Sequence, residues 1–441
     1  MLRGWKHAVD DFGAPDGAVF KFTPYAFPRP QTNCALGEDQ LTMDNRIAPG
    51  WSVDAHRLWL ASNRQDAISA VLSGINASGD IKPLPLVLQL AYYLYILGDY
   101  RAAASCLERV RPHYPDNVEL LTNLGVVYGR SGDNARAVEC MRTLLTVDPH
   151  NAVAHDALAS ALSKLGDYDE ARRAGTRALI LKDRASRTGK SVIRLPAHGP
   201  GRWLAANPKP NVISFSLWGA DPRYLRGAID NALQAHAIYP DWRLRYHVDT
   251  TVPADVRDTL GKLGAEVVME AGNQPVRERL AWRFKVANDP DVGRFLVRDV
   301  DSVLSLREAS AVRQWMAGDY WFHVMRDWWT HTDLVLAGMW GGVAGVLPDL
   351  TVMLQQYTPD TMETPNVDQF FLRDRVWPLI CEHTLVHDRC FSPPGARGWD
   401  LPDPPDNGHV GQDIFAARRS EQEARLGNWI ERLPSLRLTK A

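Results

Sequence analysis

Two patterns of hydrophobic residues divide the chain into two regions. From Trp51 to about residue 185, apolar residues recur every three or four positions, and this spacing predicts a series of amphipathic helices. From about residue 211, short apolar runs such as 212–217 and 242–248 alternate with helical segments. Such alternation predicts a parallel, doubly wound sheet with helices on both faces. We therefore expect an all-helical region followed by an α/β domain.

The helical region contains an internal repeat. Leucines, alanines and Gly-Asp pairs recur every 34 residues, at Leu90, Leu124 and Leu158, at Ala103, Ala137 and Ala171, and at Gly98–Asp99, Gly132–Asp133 and Gly166–Asp167. This period resembles the tetratricopeptide repeat (TPR), a pair of helices joined by a turn. Three repeats span about residues 84–184, and residues 51–75 are predicted to form a degenerate capping pair. The predicted α-solenoid leaves the function open, because such arrays bind peptides or pack on neighbouring domains.

The patterns divide the chain into five parts. Residues 1–50 show no sustained period and are predicted to be irregular, whereas 51–185 form the solenoid. Residues 186–210 are rich in Pro and Gly, which is typical of a linker. Residues 211–420 form the α/β domain, and 421–441 form a C-terminal helix or tail.

Two aspartates follow the fourth predicted strand, 294–301. Asp299 and Asp301 are separated by one residue, so their side chains leave the same face of an extended strand. Hard carboxylate oxygens placed side by side suit Mg²⁺ or Mn²⁺, and ligands collect where the strands of a parallel sheet end. A lone Asp-x-Asp after a strand is more often a solvated turn, but the residues downstream favour a metal site.

Over about residues 210–415 the motifs resemble, in their order, a GT-A glycosyltransferase. They are an αβ sheet, the Asp-x-Asp, a glycine-rich segment around Gly341, an Asp-Gln pair and a late histidine. The resemblance implies a GT-A, Rossmann-like sheet that binds a nucleotide sugar. It also implies that Asp299 meets the ribose or metal-bound waters and that Asp301 is a ligand of the divalent cation.

The same resemblance assigns three residues further along the chain. It implies that His387 is an additional metal ligand, and that Asp368 and Gln369 lie beside the anomeric carbon of the donor sugar. Arg298 before the carboxylates and Arg326-Asp327 downstream depart from the pattern of glycogenin-like members. The stereochemistry of transfer therefore stays open.

Cationic and aromatic side chains near the predicted strand ends are further candidates for donor binding. Arg279 or Arg283, on the helix before the carboxylates, would neutralise the charge that develops on a leaving diphosphate. Trp218 is as well placed to stack on a base as to fill the core. Charged and imidazole side chains are costly to bury without a role. One such cluster consists of His323, Arg326, Asp327 and His331, and we assign it to a donor-sugar pocket. Arg298 and Gly341 are assigned to donor binding as well.

Composition removes several classes of function. A formal net charge of -2 and the lack of a Lys/Arg-rich run argue against nucleic-acid binding. Residues 1–20 mix charges into their apolar positions and do not form a signal peptide, and the apolar stretch 84–97 is too short to span a bilayer. Five scattered cysteines fit a reducing compartment. We expect a soluble, cytoplasmic protein.

A second metal candidate is weaker. Cysteine and histidine ligands for zinc occur together near the C-terminus, but their spacing matches no strong zinc pattern. The residues are Cys381, His383, His387 and Cys390.

The sequence supports three functional hypotheses. The first is a metal-dependent hexosyltransferase that moves a sugar from a UDP-linked donor to an unknown protein, peptide or glycan acceptor, with the repeats presenting the acceptor or a protein partner. In this hypothesis, residues 205–441 alone retain slow hydrolysis of the donor. The second is a TPR scaffold with a degenerate nucleotide-binding domain. The third, a nucleotidyl- or phosphotransferase, keeps the carboxylates and changes the donor.

Overall fold

The computed structural model describes residues 47–187, 193–206, 208–272, 274–359, 367–404 and 408–438. Most of the predicted irregular segment 1–50 lies outside these residues. Within them, an array of paired helices packs on a mixed α/β sheet domain. No helix in this part of the chain has both the length and the apolar composition needed to cross a membrane.

Eight helices of the described residues form the array. They are α1 Val53–Leu60, α2 Arg64–Ala77, α3 Leu84–Ile96, α4 Tyr100–Val110, α5 Val118–Ser131, α6 Asn134–Val147, α7 Ala152–Leu165 and α8 Tyr168–Ser186. The pair α1 and α2 corresponds to the predicted capping pair, and the three predicted repeats are α3 to α8. The repeated leucines and alanines are buried between the helices, so the prediction of a TPR solenoid is confirmed.

The repeated Gly-Asp pair explains why each helix ends where it does. Gly98, Gly132 and Gly166 adopt φ of 77°, 85° and 83° after α3, α5 and α7, a left-handed conformation that favours glycine. The aspartate that follows each glycine caps the next helix. For example, Asp133 accepts a hydrogen bond from the backbone N–H of Arg136 at 3.1 Å. Local chemistry thus fixes the turn within each repeat.

The sheet has eight strands in the order β3-β2-β1-β4-β6-β5-β7-β8. The strands are β1 Asn211–Leu217, β2 Trp242–Val248, β3 Glu266–Met269, β4 Arg294–Arg298, β5 Phe322–Arg326, β6 Met339–Val343, β7 Thr384–Asp388 and β8 Ala396–Arg397. The prediction of a parallel sheet is wrong at β6, which runs antiparallel to both β4 and β5. The reason is that loop 327–338 joins β5 to β6 without a crossover helix, so the chain returns in the opposite direction.

The remaining helices surround the sheet. They are α9 Pro200–Ala206, α10 Pro222–Ile238, α11 Ala254–Lys262, α12 Val276–Ala281, α13 Leu306–Ala317, α14 Leu350–Gln355, α15 Val367–Phe371, α16 Trp377–Ile380, α17 Ile414–Ala417, α18 Arg419–Leu426 and α19 Asn428–Arg432. A 3₁₀ helix, Trp282–Asn288, continues α12, and a π-helical turn, Leu372–Val376, continues α15. Helix α9 lies inside the predicted linker. The C-terminal segment packs on α10, where Arg226 donates to Glu423 and to the carbonyl of Leu436, each at 2.8 Å.

The helical array and the sheet share one hydrophobic core. Leu158 and Leu179 of the array belong to the same buried cluster as Phe295, Trp340 and Phe371 of the sheet domain. The array therefore packs directly on the sheet domain.

Candidate active site

A cavity of about 390 Å³ lies at the carboxyl ends of β1 and β4. This is the edge at which ligands bind in sheets with neighbouring parallel strands. Its lining includes Ser216, Trp218, Arg223, Arg283, Asp299, Asp301, His331, Asp333, Asp368, Gln369 and Asp413. Seven of these were predicted as site residues from the sequence: Trp218, Arg283, Asp299, Asp301, His331, Asp368 and Gln369.

Arg283 joins the carboxylate pair to the Asp-Gln pair. One terminal nitrogen of its guanidinium group contacts Asp299, and Nη2 donates to Asp368 Oδ2 at 3.0 Å. The 3₁₀ helix after α12 positions this arginine, because its backbone N–H donates to Ser216 Oγ on β1 at 3.0 Å. Arg283 is 4% exposed, so its charge acts in a poorly solvated place where ion pairs are strong.

Arg223 forms a similar bridge on the other side of the cavity. Its Nη2 lies 2.7 Å from Asp301 Oδ2 and 2.8 Å from Asp413 Oδ2. Arg223 stands in the first turn of α10, which Asp221 caps. Burial and the charge of Asp299 raise the pKa of Asp301 to about 6, and Arg223 opposes this shift. Asp301 is therefore mostly ionised at neutral pH.

The two aspartates after β4 have the donor atoms that a divalent cation prefers. Mg²⁺ and Mn²⁺ favour hard carboxylate oxygens, and the Asp299 side chain is 44% exposed. Among the described residues, no group of three or more His, Cys, Asp or Glu side chains could hold a metal ion. A cation at Asp299 and Asp301 would therefore take its other ligands from water and from ligand oxygens, as Mg²⁺ commonly does. The donor set fits that mode of binding.

His387 lies away from the carboxylate pair. It is fully buried on β7, and β6 and β5 stand between β7 and β4. Its Nδ1 lies 2.8 Å from His323 Nε2, and its Nε2 lies 3.1 Å from Gln314 Oε1. Both ring nitrogens thus face partners within the protein, and the structure does not bring His387 to Asp299 or Asp301.

Three more predicted donor-binding residues lie in or beside the central strands rather than along the cavity. Arg298 pairs with Glu308 at 3.1 Å, and the His323 ring stacks on Trp315. Gly341 sits in β6 opposite Leu296 of β4. These contacts lie inside the sheet domain, so the structure places the three residues in the packing that supports the site.

The remaining predicted donor-binding residues also have partners elsewhere. Arg326 pairs with Asp388 at 2.6 Å. Asp327 pairs with Arg307 at 3.0 Å and with Arg389 at 3.2 Å. Arg279 donates to the backbone carbonyl of residue 274 at 2.7 Å. None of these three predicted residues is among those that line the cavity.

His331 is the one member of the predicted His-Arg-Asp cluster that lines the cavity. Its Nδ1 accepts a hydrogen bond from the backbone N–H of Asp327 at 3.0 Å, so a neutral ring carries its proton on Nε2. Burial, followed by the nearby His409 and Arg389, lowers the pKa of His331 well below its usual value. His331 is therefore a neutral hydrogen-bond donor at physiological pH.

Asp368 and Gln369 lie together at the start of α15. Burial raises the pKa of Asp368 to about 6; Arg283 opposes this shift and Asp299 adds to it. The backbone N–H of Gln369 donates to Asp368 Oδ1 at 2.9 Å. In the described part of the chain, the buried Oε1 of Gln369 has no hydrogen-bond partner. This pair supplies a carboxylate that titrates near neutrality and an unused acceptor.

Sequence reasoning missed Arg223 and Asp413. A signal for Arg223 was present, because the helix after the first strand of an α/β sheet starts at the ligand-binding edge. Asp413 lies in a short loop before α17, and its isolated bridge to Ser302 brings it to the site. No local pattern in the sequence indicates that bridge.

Comparison with known proteins identifies the helical array. Residues 88–128 and 122–187 match the tetratricopeptide repeat family model. These residues form tetratricopeptide repeats. A curated relative, the Protein CTR9 homolog of Arabidopsis thaliana, is 38% identical over 66 residues, which make up 15% of this chain and 6% of that protein. The chain thus matches only a small part of that relative.

Solved structures of MamA also match. One, from MSR-1, is 23% identical, covers 30% of this chain and 78% of its own, and has a TM-score of 0.26. Another, from Desulfovibrio magneticus RS-1, is 18% identical, covers 31% of this chain and 74% of its own, and has a TM-score of 0.27. Of the hypotheses drawn from the sequence, the family match supports the TPR interaction scaffold. These comparisons give no support to glycosyl transfer.

The tetratricopeptide repeats reach the neighbourhood of the cavity. The ring of Tyr168 in α8 stacks on Trp329 in the loop after β5, with centroids 5.2 Å apart. Arg172, one turn further along α8, donates to the carbonyl of Arg389 at 3.2 Å. The repeats therefore contact the loops that surround the site as well as the hydrophobic core.

Proposed function

We propose that the sheet domain is a metal-dependent hexosyltransferase that binds a nucleotide sugar, most favourably UDP-linked, in the cavity at the carboxyl edge. The observation that carries the proposal is the convergence of Asp299, Asp301 and Asp368 on one cavity. Asp299 and Asp301 follow β4, and Asp368 comes from a segment distant in the sequence, at the start of α15. The buried Arg283 and the half-buried Arg223 link these carboxylates to the rest of the site. An acidic site of this kind suits a cation and the diphosphate that it binds.

In this proposal, the charged residues divide between the cation and the leaving group. Asp299 and Asp301 would hold Mn²⁺ or Mg²⁺, which when bound would neutralise charge on the diphosphate. Arg283 and Arg223 place two further positive charges at the cavity wall. Charges fixed before the reaction stabilise a developing anion without the cost of reorganising water.

Asp368 is the proposed general base. A base works best when its pKa lies near the working pH, and the pKa of Asp368 is raised to about 6. It is ionised at neutral pH and can accept the proton of an acceptor hydroxyl. Arg283 holds the carboxylate at 3.0 Å and limits its rotation.

Trp218 and His331 are proposed to orient the donor. Trp218 lines the cavity at the end of β1 and packs edge-on against Trp282, with centroids 6.2 Å apart. Its ring is available to stack on a base. The neutral His331 would donate from Nε2 to a hydroxyl or phosphate oxygen of the donor.

The experiment is a calorimetric titration of the purified full chain with UDP-, GDP- and CMP-sugars, with and without Mn²⁺, followed by an assay for released sugar. The proposal predicts that Mn²⁺ strengthens UDP-sugar binding and that free sugar and UDP form slowly in the absence of an acceptor. If no nucleotide binds with or without the cation, the proposal is wrong.

The second candidate is a TPR interaction scaffold whose sheet domain binds a nucleotide without turnover. The TPR family match favours it, as do the ion pairs, because Arg223 and Arg283 each already pair with two carboxylates of the site. Nucleotide binding with no product over long incubation would support this candidate. Release of a sugar phosphate, or transfer of a nucleotidyl group, would instead indicate the nucleotidyl- or phosphotransferase hypothesis.

A cytoplasmic location stays a prediction.

A further inference from the structure

The loop 327–338 between β5 and β6 forms one wall of the cavity. Thr330, His331 and Asp333 of this loop line the cavity, and its last residues do so as well. The loop is long, has no helix of its own, and joins two antiparallel strands. Such a segment needs contacts with other elements to hold one conformation.

Lys182 of helix α8 makes polar contacts with two residues of this wall. Its Nζ donates to the carbonyl of Thr332 at 2.7 Å and to Asp333 Oδ1 at 3.2 Å. The third donor reaches Asp156 Oδ2 on α7 at 2.8 Å. An ammonium group has three donors, and these three acceptors use all of them. Asp156 also accepts from the hydroxyl of Thr332.

Burial makes these contacts of Lys182 energetically important. Lys182 is 7% exposed, as is Asp333. Removing one partner of a buried ion pair leaves an uncompensated charge, which is strongly destabilising to the local arrangement. The buried ion pair therefore holds the loop against α8, in addition to the stacking of Trp329 on Tyr168.

We infer that the last tetratricopeptide repeat is a structural part of the binding site, in which Lys182, assisted by Asp156, is the positioning residue for cavity-wall residues 330–333. Lys182 acts through the loop and does not line the cavity itself. His331 precedes Thr332, so the contacts of Lys182 with Thr332 and Asp333 position the His331 imidazole in the cavity wall. This inference rests on the proposed function only in the choice of UDP as a probe.

Two measurements on the full chain test this inference with Lys182→Met. The control is Arg184→Met, which changes an exposed residue of the same helix. Hydrogen exchange should accelerate about tenfold in peptides from 327–338 of the Lys182 variant, while β1 and β4 stay protected. Its affinity for UDP with Mn²⁺ should fall about tenfold, because a displaced wall misplaces its contacts. Arg184→Met should match the parent in both.

A milder variant covers the case in which Lys182→Met does not fold. Asp156→Asn keeps the pair between Lys182 and Asp333 and should give a smaller change in the same direction. If loop exchange in the folded variants equals that of the parent, the inference is wrong. If the parent binds no UDP, the proposed function fails, and the exchange measurement still decides whether the repeat holds the wall.

Discussion

Arg283 Nη2 donates to Asp368 Oδ2 at 3.0 Å across 85 positions of the chain. The same guanidinium group contacts Asp299 after β4. One buried cation thus connects the carboxylate pair at the sheet edge with the Asp-Gln pair at the start of α15. This link is what makes the separate acidic motifs of the sequence into one site.

The bridge predicts that Arg283→Lys impairs function more than stability. Lysine keeps the positive charge but lacks the planar fork that contacts two carboxylates at once. We expect the rate of UDP-sugar hydrolysis to fall about 100-fold, in line with the loss of one well-placed electrostatic contact. Kinetics and a thermal melt measure the two effects. Arg279→Lys, a change on the same helical segment but outside the cavity lining, is the control, and an equal loss in both variants would contradict the prediction.

The position of His387 leads to a prediction that differs from the one based on family resemblance. His387→Ala should lower the free energy of unfolding by about 2 kcal/mol, because it empties a buried site and removes hydrogen bonds. Binding of Mn²⁺ in the presence of UDP should stay unchanged. Denaturant unfolding and calorimetry check the two outcomes, with the nearby His383→Ala as control. A loss of cation affinity without a loss of stability would restore His387 as a metal ligand.

Local sequence predicted the repeats well because their determinants are local. Gly132 ends α5 and Asp133 caps α6, and both signals can be identified without knowledge of the tertiary fold. The position of Asp299 and Asp301 at the sheet edge was predictable for the same reason, since the apolar run of β4 ends just before them.

Strand order explains most of what could not be predicted. His387 follows an apolar run as the aspartates do, yet β6 and β5 insert between its strand and β4. The antiparallel direction of β6 follows from the path of loop 327–338, which contacts Lys182 of α8, distant in the sequence. Asp413 reaches the site through a single bridge to Ser302. Each of these features results from long-range pairing that no sequence period records.

The raised pKa values of two site carboxylates predict a pH dependence. Burial raises the pKa of both Asp301 and Asp368 to about 6. Hydrolysis of a UDP-sugar should therefore decline as the pH falls through about 6, because the protonated acids neither hold a cation nor accept a proton. The contribution of these two groups to the free energy of unfolding has the opposite pH dependence to the rate. This stabilisation is present at low pH and is lost as the pH rises through about 6. A rate profile that is flat from pH 5 to 8 would contradict this assignment.

The shared core predicts that residues 205–441 fold poorly by themselves. A side chain at Gly175 of α8 would clash with the Phe391 ring, and Trp377 Nε1 donates to Asp183 at 2.7 Å. Cutting the chain before 205 exposes this surface, so we expect no cooperative melt from the fragment and no donor hydrolysis. A cooperative melt together with measurable hydrolysis would contradict this prediction and support the independent activity expected from the sequence. Circular dichroism and a hydrolysis assay decide between the two.

The decisive measurement is the calorimetric affinity of the full chain for UDP with and without Mn²⁺, compared between the parent and Asp301→Asn. The isosteric amide removes the charge of a cation ligand at the end of a strand, so the fold should persist while Mn²⁺-dependent binding falls about 100-fold. Asp258→Asn, an exposed change on α11, is the matched control and should bind as the parent does. If Asp301→Asn and the parent bind UDP and Mn²⁺ equally well, the acidic pair is only a turn and the cavity is not a metal-dependent transferase site.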